Sequence, residues 1–85
     1  MITEEDARIE VFNFIVKYNG QTVHFEDMDG YDKFRFVLVD VFRFLHEYKN
    51  VDTLEALDRA KSVAERLRDS GYAQYPVDRT LTITD

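Results

Sequence analysis

Eighty-five residues without a single cysteine must hold themselves together by packing alone. A chain of this length makes one domain, residues 1–85, and buries only about 60–65% of the surface its unfolded form exposes. Its apolar residues therefore have to be used efficiently. They are plentiful: 45% of the sequence is hydrophobic, with seven Phe and five Tyr. The missing thiolates exclude disulfides, cysteine-based zinc sites and cysteine nucleophiles. A small domain without disulfides suits a reducing compartment, so the expected location is the cytoplasm. One Pro and the lack of low-complexity tracts argue against disorder.

The strongest local signal is Asn19-Gly20, a pair suited to the two consecutive positive φ angles of a type I′ hairpin turn. With a two-residue turn, Val16 faces Val23 and Phe14 faces Phe25, and Phe12 joins them on one face of the hairpin. This register predicts strands over about 9–18 and 21–26, preceded by an acidic leader at 1–8. The alternative is a helix that starts at Thr3-Glu4-Glu5-Asp6 and ends at Asn19-Gly20. The aromatic and β-branched run from Phe12 to Tyr18 weighs towards strands.

Tyr31, Phe34, Leu38, Val41, Phe42, Leu45 and Tyr48 recur at spacings of three and four, which predicts a helix over 31–49. Asp29 is its expected N-cap and Asn50 its left-handed stop. Residues 33–39 also alternate like a strand. A second helix over 53–70 is clearer: Asp52 and Glu55 form a capping pattern, Leu54, Leu57, Ala60, Val63, Ala64 and Leu67 make the stripe, and Gly71 ends it. Residues 72–76 read as a loop. Leu81 and Ile83 alternate with Thr80, Thr82 and Thr84 in a half-buried strand over 79–84. The expected fold is α+β in the order β-β-α-α-β, a three-stranded antiparallel sheet with two helices packed on one face.

Chemistry is sparse. Gly20, Gly30 and Gly71 stand apart, so there is no phosphate-cradling loop, and no nucleophile elbow surrounds Ser62 or Ser70. His24 and His46 lack metal-ligand spacing. Asp27-Met28-Asp29-Gly30 has the look of a calcium loop, but with Gly30 at position 6 the first and twelfth positions are Phe25 and Phe36, so the register fails. No cofactor is expected. A net charge of −6 disfavours a nucleic-acid backbone as partner, and no run of about 20 apolar residues provides a membrane span.

What remains is surface. The acids Glu26, Asp27, Asp29 and Asp32 offer contacts to a basic protein partner, while Phe36 and Val39 fall off the buried stripe of the first helix. Val11 and Ile15 would also sit on the open face of the sheet. The expected function is a non-enzymatic, acidic protein-binding module. Inhibitors that occlude a basic site on a nucleic-acid enzyme, as phage anti-CRISPR proteins do, are one class of such modules. The alternative is a self-associating structural or regulatory homodimer.

Overall fold

The computed structural model describes residues 3–84; Met1 and Ile2 of the acidic leader, and Asp85, lie outside the described residues. Helix α1 (Glu4–Tyr18) is followed by strand β1 (Thr22–His24) and a 3₁₀ turn (Phe25–Asp27). Helix α2 (Gly30–Arg43) runs on into a π-helical segment (Phe44–Tyr48). Helix α3 (Thr53–Asp69) and strand β2 (Thr80–Thr82) complete the chain. The strands pair antiparallel, with Val23 opposite Leu81, as a two-stranded ribbon. The architecture is three helices around a short ribbon, which overturns the expected three-stranded sheet and the hairpin over 9–26.

The reason lies at both ends of α1. Thr3 accepts from the Asp6 amide at 3.1 Å while the Asp6 carboxylate accepts from the Thr3 amide at 3.2 Å, so the leader is a capping box. Glu4, Glu5 and Asp6 sit in the first turn and Lys17 in the last, complementing the helix dipole. At the other end Gly20 does take a positive φ of 82°, but Asn19 stays at −50°, so the type I′ turn is not made. Asn19-Gly20 ends the helix instead, and the Gly20 amide donates to the Ile83 carbonyl at 2.7 Å. The helix propensity lost to Val and Phe is a few tenths of a kcal/mol per residue. Burial of Ala7, Val11 and Phe14 outweighs it.

The later elements follow the sequence more closely. Asp29 caps α2 by accepting from the Asp32 amide at 2.8 Å, and Asn50 takes the left-handed conformation with φ 55°. Asp52 caps α3, and Ala56, Ala60 and Ala64 are all fully buried, which lets α3 lie close along α2 in the most extensive helix contact of the fold. Leu81 of β2 and Ile83 just beyond it are buried, and the threonines between and around them are exposed. Tyr72 and Tyr75 of the 72–76 loop pack on Phe25 at 5.3 and 4.8 Å between ring centroids.

Candidate functional site

The acidic run divides into structural and exposed members. Asp29 is occupied as the α2 cap, although its side chain reaches the surface. Asp32 is 3% exposed and accepts from Lys17 Nζ at 2.7 Å, from the Tyr18 hydroxyl at 2.6 Å and from Arg35 at 3.4 Å. Burial works against its charge, but the hydrogen bonds from Lys17 and Tyr18 and the charges of Lys17 and Arg35 prevail, holding its carboxyl below the ordinary range. Asp32 is therefore a tie between α1 and α2, not the open contact expected of it. Glu26 and Asp27 are exposed on the 3₁₀ turn, and neither joins an ion pair among the described residues.

Phe36 and Val39 were expected at the surface and are fully buried. Phe36 lies in an aromatic cluster with Phe14, Phe25 and Tyr75, at centroid distances of 6.2, 5.5 and 6.3 Å. The expectation assumed one apolar stripe backed by solvent. Instead α2 is the central helix, with Phe36, Val37, Leu38 and Val39 in succession shielded from water. The open apolar sheet face is also absent: the ribbon's outer side carries Thr22, His24, Thr80 and Thr82, with the Thr22 and Thr82 hydroxyls 3.1 Å apart. Val11 is in the helical core.

Two polar clusters stiffen this frame. Arg35 donates to both oxygens of Glu10 at 3.2 and 3.3 Å and to the Tyr31 hydroxyl at 3.0 Å, with its guanidinium 4.1 Å from the Tyr31 ring centroid. Burial opposes the Glu10 charge, yet the bonds from Arg35 and Tyr31 keep its carboxyl below the usual range. On the far side of α2, Asp40 accepts from Tyr75 at 2.5 Å and from Arg79 at 3.0 and 2.6 Å. Burial, and then the neighbouring Asp40, push the Tyr75 phenol well up.

The exposed apolar surface includes Phe12 and Val16, which the hairpin register turns to the packed face. On the outer side of α1, Ile9, Phe12 and Val16 are 44%, 66% and 57% exposed. Spacings of three and four put them on one ridge, opposite the buried line of Ala7, Val11 and Phe14. The signal was present in the sequence as a second helical stripe within residues 9–18.

Beside the ridge is a depression of about 280 Å³ lined by Ile15, Phe42, Arg43, Glu47 and Thr84. Its floor is apolar and its rim carries the Arg43–Glu47 ion pair, 3.9 Å apart. Arg43 also donates to the Thr82 carbonyl at 3.0 Å. A second depression of about 170 Å³ shares Arg43 and Glu47 and adds Phe44 and Tyr48 of the π-helical segment. A hollow of about 480 Å³ along α3 is lined by Ser62, Glu65, Arg66, Arg68 and Asp69, with no apolar side chain. Among the described residues there is no group of three or more His, Asp or Glu placed to hold a metal ion, and no helix long and apolar enough to cross a membrane. Comparison of the chain with protein-family models, with curated proteins and with solved structures finds no match.

Proposed function

We propose that this protein is a non-enzymatic protein-binding module that docks through the outer ridge of α1. The observation that supports the reading is the alignment of Ile9, Phe12 and Val16 as one exposed line on a regular helix. Single exposed apolar residues are ordinary, but a contiguous ridge with an aromatic side chain at its centre is the form an interface core takes. Phe12 is the natural anchor, being large, rigid and the most exposed of the three.

Glu26 and Asp27 support a finer element of the same proposal. Exposed and outside any described ion pair, they are suited to steering a basic partner, such as the basic groove of a nucleic-acid enzyme, through charge that acts mainly on association rate.

The test compares the wild type with an Ile9→Ala, Phe12→Ala variant as immobilised baits, after thermal melting has shown that both are folded. The wild type should retain protein, from a lysate or as free copies of itself, that the variant does not. Equal retention by both baits refutes the ridge as the docking face.

A further inference from the structure

We infer that the occupant of the α1 ridge is a second copy of this chain, with the two α1 helices antiparallel across a twofold axis. The inference rests on the reading of the ridge as a docking face, and the occupant it assigns takes the place of the basic partner named above.

A twofold interface requires one patch to be complementary to itself. The patch is the ridge of Ile9, Phe12 and Val16, with the depression lined by Ile15 and Phe42 on its flank. The ridge is nearly symmetric about its centre, with a β-branched residue on either side of Phe12. Antiparallel pairing centred there sets Phe12 against the partner's Phe12 and Ile9 against the partner's Val16.

Charge selects the same arrangement. Arg8 and Ile15 are seven residues apart and so lie on the same flank of α1. Arg8 is paired with Glu5 at 2.5 Å near the start of the helix. Ile15, in its last turn, borders the Arg43–Glu47 pair. In an antiparallel twofold pair each flank meets the same flank of its partner, first turn against last. The Glu5–Arg8 pair of one copy therefore lies over the Arg43–Glu47 pair of the other, carboxylate facing guanidinium in both directions, and the twofold repeats this at the other end. In a parallel twofold pair each flank would meet the partner's opposite flank at the same height, so the Glu5–Arg8 pair would not reach the rim of the depression. The ridge's flanks carry both signs in adjacent pairs, which matches a copy of themselves better than a uniformly basic surface.

The test is the solution mass by light scattering and sedimentation over a hundredfold range of concentration, on the full chain. The wild type should rise with concentration towards twice the 10.1 kDa of the monomer. Phe12→Asp, or Val16→Asp should the first fail to fold, should weaken self-association at least tenfold with its melting transition retained. Arg8→Glu and Glu47→Arg should each weaken it, because each sets like charges together across the interface. The double variant should restore it, since the first turn of α1 then presents only carboxylates and the facing rim only guanidinium groups, with the net charge unchanged from −6. A wild type that stays monomeric throughout overturns the second copy as occupant; the ridge reading then survives only if the Ile9→Ala, Phe12→Ala bait still loses a captured protein. A dimer that persists in Phe12→Asp forms through another surface and overturns the second copy as occupant of the ridge. Failure of the double variant to recover overturns the antiparallel arrangement.

Discussion

Replacing Asp32 by Asn should destabilise the fold by about 2–3 kcal/mol at pH 7, and that loss should fade in acid. The side chain is 4% exposed and receives Lys17, Tyr18 and Arg35. Asn keeps the shape and one acceptor, so the Tyr18 hydroxyl retains a partner. What disappears is the charge. A hydrogen bond to a charged group contributes about 1.5–3 kcal/mol, and leaving buried polar atoms unmatched costs a similar amount. The Lys17 side chain is 52% exposed and recovers water, and Arg35 keeps Glu10, so the total stays below the sum of the two contributions, at about 2–3 kcal/mol. For a domain of this size the melting temperature should fall by roughly 8–24 °C.

The pH dependence has a definite sign. The folded Asp32 carboxyl lies below its ordinary value, about 3.9 in an unfolded chain, so the unfolded state takes up the proton first. Its stabilisation is complete above that value and is lost as the pH falls through the folded value. Urea unfolding of wild type and Asp32→Asn should give a stability gap that is flat from pH 7 to about pH 5 and closes progressively below about pH 4. A gap under about 0.5 kcal/mol at pH 7, or one unchanged at the acid end, refutes the network as a tie between α1 and α2.

Phe14→Ala should cost about 3–5 kcal/mol, because its ring is fully buried beside Tyr18 and Phe36, whereas half-buried Phe42 should cost roughly half as much on truncation; the separation of urea midpoints checks the order. Gly20→Ala should cost about 1–2 kcal/mol from backbone conformation alone, since φ is 82° and an added Cβ meets nothing within 4 Å; an unchanged melting temperature would refute the assignment of positive φ.

The legible parts of this chain are those whose signals are local. The caps at Asp29 and Asp52, the left-handed stop at Asn50 and the alternation of Leu81 and Ile83 each act within a few residues, and each is present. The pairing of β1 with β2 joins residues about sixty positions apart, and no local pattern announces it. The burial of Phe36 and Val39 depends on what surrounds α2 on several sides, which one helix's periodicity cannot register. The same limit misplaced Asp32: its acidity was visible, but not Lys17, Tyr18 and Arg35 converging on it.

Residues 9–18 failed for a reason that bears on function. A helix with one apolar face contrasts apolar with polar every three to four residues, and that contrast is what a reader of sequence detects. In α1 the contrast is nearly erased, because Val11 and Phe14 face the core while Ile9, Phe12 and Val16 face outward. What survives in the sequence is the alternation of Phe12, Phe14 and Val16, which imitates a strand. Intrinsic propensity does not account for the outer stripe, since Val, Ile and Phe are all poorer helix formers than Lys, Glu or Ala. Folding does not account for it either, because the core closes over Ala7, Val11 and Phe14 without it. Ile9, Phe12 and Val16 stay exposed among the described residues, and that uncompensated cost in propensity and solubility is what the proposed contact with another chain would offset.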